Sequence, residues 1–275
     1  MRAAALIAVL LAVATTAVAS PPTQTVPAFD HVVVIMFENK ERGSIIGASD
    51  APTFTAMAHR YAQLTRYYGV AHPSLPNYLA LISGSTQGVH SDCTTCSFTA
   101  NTLASTLRPQ RTWKLYAEGL PRPGFTGAFA GRYAKKHAPF LYFRGSDKRR
   151  VVPLTQLPAD LARNQLPDYS MVVPDLCNSM HDCSVGVGDT WLRRQLPPLL
   201  KLPNTVVFVT FDEGTSSAHG GGHVAELALG TAVRPHSVYT RVATHYGLLR
   251  TIEDAWGLPR LGRSAAAVPI TGIWR

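Results

Sequence analysis

The stretch His31-Val32-Val33-Val34-Ile35-Met36-Phe37, followed at once by Glu38-Asn39, carries most of the information about the fold. It is a continuous, largely β-branched run with no polar alternation. That pattern predicts a strand buried on both faces, which requires helices above and below it. The run Thr205-Val206-Val207-Phe208-Val209-Thr210-Phe211 repeats the pattern and ends in Asp212-Glu213-Gly214. Shorter strands are expected at Trp113–Tyr116 and at Ser170–Val173, the latter stopped by Pro174. Between them, apolar spacing predicts helices over 53–64 with Thr53 near the cap, from Pro76 to Gly84, over 102–107, over 189–200 and over 242–256. Residues 118–150, rich in Gly, Pro and basic side chains, read as a long surface excursion. Strands alternating with helices give an α/β sandwich around a mainly parallel sheet.

Composition agrees. The chain has 275 residues, 46% hydrophobic and 16% charged, which excludes a disordered polyelectrolyte. Gly and Pro are scattered without period, which excludes collagen-like repeats. The 26 Lys+Arg against 17 Asp+Glu leave a net charge of +9. Its densest clusters are Lys135-Lys136-His137 and Lys148-Arg149-Arg150, without interleaved aromatics. A solvated surface with a surplus of charge is the first reading; a long-range field favouring anionic substrates or a nucleic-acid groove would explain it too, and nucleic acid is not an expected partner.

The first residues read as a targeting segment. Arg2 precedes an apolar run from Ala3 to Ala14, too short to span a bilayer, and Ala17-Val18-Ala19 has the small-x-small form that a signal peptidase reads. Cleavage is expected after Ala19, leaving residues 20–275 as one secreted domain with no transmembrane segment. Export makes disulfides the default for the four cysteines. Three pairings are possible, and the local ones, Cys93–Cys96 and Cys177–Cys183, are favoured. Zinc held by the same thiolates is the alternative, with spacings that match structural zinc sites poorly.

The chemistry concentrates at strand ends. In an open α/β sheet, ligands bind beyond the carboxyl ends of the strands. Glu38 and Asn39 follow one buried strand; Asp212 and Glu213 follow another. If the strands are parallel neighbours, four hard oxygen donors converge, suited to a divalent cation such as Mg²⁺, Ca²⁺ or Mn²⁺, with Zn²⁺ also open. A third strand leads to Asp175, Asn178, His181 and Asp182, and a Cys177–Cys183 bridge would hold His181 tightly. For Asp175 and Asn178, bonding to the local backbone explains the sequence equally well. His72 stands between a strand and a helix in His72-Pro73-Ser74-Leu75-Pro76-Asn77-Tyr78. His219 and His223 flank Gly220-Gly221-Gly222 and could reach the same place, or simply belong to a turn.

These motifs, with Tyr133-x-x-Lys136-His137-x-Pro139-Phe140, Gly188-Asp189-x-Trp191-Leu192 and His245-Tyr246-x-Leu248-Leu249, occur in an order that resembles the bacterial phosphoesterase family of secreted acid phosphatases and phospholipases C. The resemblance is strongest to the branch with phosphatidylinositol 3-phosphate phosphatases, and spans about residues 29–274. It implies an alkaline-phosphatase-like fold, a three-layer α/β/α sandwich, and metal-dependent hydrolysis of phosphate monoesters. By it, Glu38 and Asn39 match the first metal pair, and Asp212 and Glu213 the second. His72 and His181, the latter with Asp182, match acid/base positions at the phosphate pocket. Lys136, His137 and His223 are expected to bind substrate, a small phosphorylated molecule or a phosphoinositide headgroup. Thr102, before Trp113-Lys114-Leu115-Tyr116, matches the nucleophile, with a phosphohistidine at His181 as the fallback. A phospholipase C or other phosphodiesterase, and a secreted anion- or nucleic-acid-binding protein without catalysis, are the competing functions.

Overall fold

A computed structural model of the chain describes Met1 and residues 25–275. The targeting segment and its cleavage site lie outside the described residues. In chain order the elements are β1 (His31–Phe37), α1 (Pro52–Arg60), β2 (Ala62–Tyr68), α2 (Ser74–Ser83), α3 (Leu103–Thr106), β3 (Trp113–Ala117), β4 (Phe129–Ala130), β5 (Tyr133–Ala134), β6 (Val151–Pro153), α4 (Leu157–Ala162), β7 (Tyr169–Val173), α5 (Val185–Leu199), β8 (Thr205–Phe211), β9 (His223–Leu229), β10 (Ser237–Tyr239), β11 (Ala243–Thr244) and α6 (His245–Trp256).

The sheet has the order β10-β2-β9-β8-β1-β7-β3-β6, with β11 paired to β2. Its central strands β8, β1, β7 and β3 are parallel. Val32 to Phe37 and all of β8 are buried, as the apolar runs require. Helices α1 and α5 pack together, as do α2 and α6, so helical layers cover both faces of the sheet. On one side Phe37 and Phe211 join Phe54 of α1, and Trp191 of α5 meets Phe37 edge-on. No helix among the described residues is long and apolar enough to cross a membrane.

Several local expectations shift. The helix expected over 53–64 ends at Arg60, and Ala62–Tyr68 is a strand whose burial alternates, a period-two pattern that a short window blurs. Its start is capped from a distance: Asp189 Oδ1 accepts from Thr53 N at 2.8 Å and Phe54 N at 3.1 Å. Strand β9, antiparallel to both neighbours, escapes the hydropathy pattern because Glu226 sits in its buried middle. The excursion at 118–150 is not all surface: Tyr133, Phe140, Leu141 and Tyr142 are buried, and β4 and β5 form a hairpin. The last long helix begins at His245 rather than Val242.

Both local cysteine pairs are bonded, Cys93 to Cys96 and Cys177 to Cys183.

Candidate active site

Strands β1 and β8 pair in parallel register, with Phe37 opposite Phe211. The next residue of each, Glu38 and Asp212, therefore leaves the sheet beside the other, and both are fully buried. Asn39 adopts a left-handed backbone conformation (φ 55°), which an Asn tolerates better than most residues, and its N–H donates to Asp212 Oδ1 at 3.0 Å. The expected meeting of these two strand ends is what the structure contains.

Helix α2 brings a hydroxyl to the same place. It starts at Ser74, whose Oγ lies 3.0 Å from Glu38 Oε2 and 3.3 Å from Glu213 Oε1. Tyr78, one turn on, donates its hydroxyl to Glu38 Oε1. Below, the peptide carbonyl of Asp212 accepts from His245 Nε2 at 2.6 Å, while Tyr67 OH meets His245 Nδ1 at 3.0 Å. Burial holds the His245 pKa down at about 4, so the ring is neutral; its Nε2–H donates and its Nδ1 accepts from Tyr67.

Two buried carboxylates side by side are electrostatically costly. Burial, then the charge of Asp212, pushes the Glu38 pKa well above the ordinary carboxylate range. Burial raises that of Asp212 as well. Asp212 Oδ2 is moreover a buried acceptor with no hydrogen-bond partner. A divalent cation answers both features, and the oxygen donors of Glu38, Asp212 and Ser74 suit a hard ion. Among the described residues no three His, Cys, Asp or Glu side chains form a ready-made metal cage. The donors gathered here include a hydroxyl, and Glu213 divides its two oxygens between Ser74 and His72.

Glu213 turns toward His72, whose Nδ1 contacts Glu213 Oε2 and whose Nε2 donates to the Ser216 carbonyl at 2.9 Å. Burial opposes the charge on His72, but the Ser216 carbonyl and Glu213 together raise its pKa above the usual imidazole value. Burial and then Asp212 raise that of Glu213 to about 7, partly offset by His72. The loop that presents Ser216 can approach because Gly221 abuts Gly69: a Cβ on Gly69 would stand 2.6 Å from the Gly221 carbonyl oxygen.

A second wall forms around Lys136. Its Nζ donates to Asp92 Oδ2 at 2.8 Å and to His181 Nε2 at 3.3 Å. Asp92 Oδ1 also accepts from Leu75 N at 2.9 Å, tying the lysine to the start of α2. Because an ammonium can only donate, His181 Nε2 carries the lone pair and Nδ1–H donates to Asp182 Oδ1, 2.7 Å away. Burial works against the ammonium, yet Asp92 and Glu38 hold the Lys136 pKa above the ordinary lysine value. His137 is buried, stacked on Tyr78, with Nε2 3.2 Å from Glu38 Oε1. Burial, Lys136 and His181 keep its pKa well below the usual value, so this contact joins a neutral ring to the carboxyl and is not an ion pair.

Eight of the residues singled out from sequence thus form one connected cluster: Glu38, Asn39, Asp212, Glu213, His72, Lys136, His137 and His181, with Asp182 orienting the last. Two stand apart. His223 Nε2 meets the Thr65 carbonyl at 2.9 Å and its ring stacks on Tyr68, because β9 turns it toward β2. Thr102 is buried as the N-cap of α3, where Ser105 Oγ accepts from its N–H at 3.0 Å. Among the described residues it makes no hydrogen bond to Glu38, Asn39, Asp212 or Glu213. Ser74, Asp92, Tyr78 and His245 complete the cluster without a sequence-derived role. For Ser74 the signal was present: a hydroxyl at a helix start directly after a strand and its turn.

Comparison with known proteins bears on the family and the fold. The Phosphoesterase family model matches residues 44–259. A phosphatidylinositol-3-phosphatase of Mycobacterium tuberculosis is 36% identical over 255 residues, 90% of this chain and 84% of that protein. An acid phosphatase of Aspergillus fumigatus is 32% identical over 222 residues, covering 73% of this chain and 49% of its own. A phosphate-repressible acid phosphatase of Penicillium chrysogenum is 30% identical over 255 residues, covering 86% and 61%. The chain therefore spans about half to three-fifths of these two fungal relatives. Among solved structures, a protein in the alkaline phosphatase superfamily from Vibrio parahaemolyticus superposes with a TM-score of 0.60 at 17% identity, over 92% of this chain and 76% of that one. A lipoteichoic acid synthase from Listeria monocytogenes gives 0.63 at 10% identity, over 87% and 74%. At such identities the likeness speaks to the fold, a mostly parallel sheet in an α/β/α sandwich. With a family model matched over most of its length and a relative of 36% identity along nine-tenths of it, the chain belongs to the Phosphoesterase family.

Proposed function

We propose that this protein is a secreted, metal-dependent phosphatase that hydrolyses phosphate monoesters, and that Ser74, not Thr102, is its nucleophile. One observation carries the reading: the Ser74 hydroxyl, at the N-terminus of α2, is held between Glu38 and Glu213 beside the partnerless oxygen of Asp212. Relatives named acid phosphatase and phosphatidylinositol-3-phosphatase support the reaction class. The leader read from the sequence supports export.

A phosphate monoester dianion repels an incoming alkoxide, so the site must supply positive charge. Glu38, Asn39 and Asp212 would hold a divalent cation, which when bound polarises the phosphoryl group and favours the ionised hydroxyl. Ser74 Oγ attacks phosphorus in line, its proton passing to the adjoining carboxylate at Glu38 Oε2 or Glu213 Oε1. The bond to the leaving oxygen breaks, and that oxygen takes a proton relayed through His181 Nε2, which accepts from the Lys136 ammonium. Lys136 Nζ and the amide end of α2 stabilise the phosphoryl oxygens. Water then cleaves the phosphoserine, returning phosphate and free Ser74. His72, paired with Glu213, holds that carboxylate in place.

The direct test is phosphate release from p-nitrophenyl phosphate and its bis-ester, before and after chelator treatment, with mass spectrometry of the acid-quenched enzyme. Monoester turnover that needs a cation, with a phosphate trapped on the peptide containing Ser74, is expected. Preferred cleavage of the bis-ester would make the protein a phosphodiesterase; phosphate on Thr102 or His181 would overturn the nucleophile.

A further inference from the structure

Phe129 is the only Phe, Tyr or Trp side chain among the described residues that stands exposed, 59% accessible. A single exposed apolar residue is ordinary; the placement of this one is not. Phe129, Ala128 and Leu176 form the apolar wall of a pocket of about 170 Å³ whose polar wall is Asp92, Lys136 and His181. Asp92, which accepts from Lys136 Nζ, also accepts from Leu75 N, so the polar wall of the pocket is tied to the first turn of α2, the turn that Ser74 begins.

The ring is presented on a braced support. The hairpin of β4 and β5 pairs Phe129 with Ala134, and Lys135 N donates to the Ala128 carbonyl at 2.9 Å. At the turn, the Arg132 carbonyl accepts from Leu176 N at 3.0 Å, joining the hairpin to the disulfide-closed loop that carries His181. Lys135 Nζ reaches back to the Thr94 carbonyl at 2.6 Å and lies over the Tyr142 ring. None of these ties uses the Phe129 side chain, which faces the pocket with its own surface unspent.

We propose that Phe129 is a specificity-determining residue that stacks on the leaving group, so that this enzyme prefers phosphate esters of ring-shaped alcohols, an aryl ring or the C–H face of a cyclic polyol, over acyclic ones. The inference rests on the phosphate-ester reading above. Lys136 and His181 engage the anionic end of the ester. The atom beyond the scissile oxygen then falls toward the opposite, apolar wall. A flat or puckered ring buries area against Phe129 there, whereas a short flexible chain gains little and loses rotamer freedom.

The test compares wild type, Phe129→Ala and Phe129→Trp on phenyl phosphate, a myo-inositol monophosphate and glycerol 2-phosphate. The Ala variant is expected to lose roughly three- to tenfold in kcat/KM on both ring substrates, through KM, the range aromatic contacts supply. It should change by less than about twofold on the acyclic substrate, and the Trp variant should restore the preference. Equal losses on all three, or none, overturn the proposal. So does weakened sedimentation of the Ala variant with anionic vesicles while soluble ring substrates are unaffected, which would make Phe129 a membrane anchor. Calorimetry with phenylphosphonate and methylphosphonate reads the same contact without turnover: only phenylphosphonate should bind more weakly to the Ala variant. Ring selectivity there without hydrolysis in any assay would sink the phosphatase reading and leave the stacking role standing.

Discussion

Ser74 Oγ stands 3.0 Å from Glu38 Oε2, joining the start of α2 to the end of β1. No local sequence pattern specifies that contact. It places a primary hydroxyl where a carboxylate can take its proton, at a helix N-terminus whose dipole favours the ionised form.

Ser74→Ala should therefore lower kcat by roughly 10³-fold or more, as loss of a nucleophile does. Thr102→Ala should keep its turnover and lose about 1 kcal/mol of stability, the usual value of an N-cap. Steady-state kinetics with thermal melts separate the two. Collapse of turnover in the Thr102 variant alone would restore Thr102 as nucleophile.

Asp212→Asn keeps an oxygen for the Asn39 N–H and removes one of two adjoining buried charges. In chelator-treated protein its melting temperature should equal or exceed that of wild type. Added Mg²⁺, Mn²⁺, Ca²⁺ or Zn²⁺ should then raise only the wild-type value, by about 2.7 kcal/mol of stability at a concentration 100-fold above Kd. A cation that stabilises both proteins equally binds elsewhere.

Lys136→Met removes the ammonium that Asp92 and His181 position. KM for a monoester and the inhibition constant of inorganic phosphate should both rise about tenfold, the usual cost of one charged hydrogen bond. His181→Ala should act mainly on kcat. If the two variants shift the same parameter, one role has been assigned to the wrong residue.

Glu253, buried in α6, accepts from Leu261 N at 2.9 Å and Ser264 Oγ at 2.5 Å. Burial raises its pKa from 4.5 to about 7 despite those bonds. Between these values the folded state binds more protons than the unfolded one, so stability falls as pH rises through the window. The slope approaches about 1.4 kcal/mol per pH unit. Glu253→Gln mimics the protonated acid, and its denaturation midpoint should lose that slope between these pH values. An unchanged slope would assign it to other groups.

The strand cores and their acidic ends were legible because the cause is local. A continuous β-branched run is best satisfied inside a sheet covered on both sides, and the polar residue after it marks the carboxyl end of the strand. That reasoning located β1, β8, Glu38 and Asp212. It failed at β9, where Glu226 interrupts the apolar pattern, and at β2, whose alternation was absorbed into the preceding helix.

What the chain alone determined, then, is which residue types stand at which strand ends, since burial preference acts over a few neighbours. Which of them share a site was decided by tertiary structure. Asn39 and Asp212 are 173 positions apart, and only the parallel register of β1 with β8 makes them neighbours. The same long-range pairing sends His223 toward Thr65, leaves Thr102 capping a helix, and delivers Ser74 to the carboxylates. Side-chain direction follows from strand order and register, and those are properties of the whole sheet.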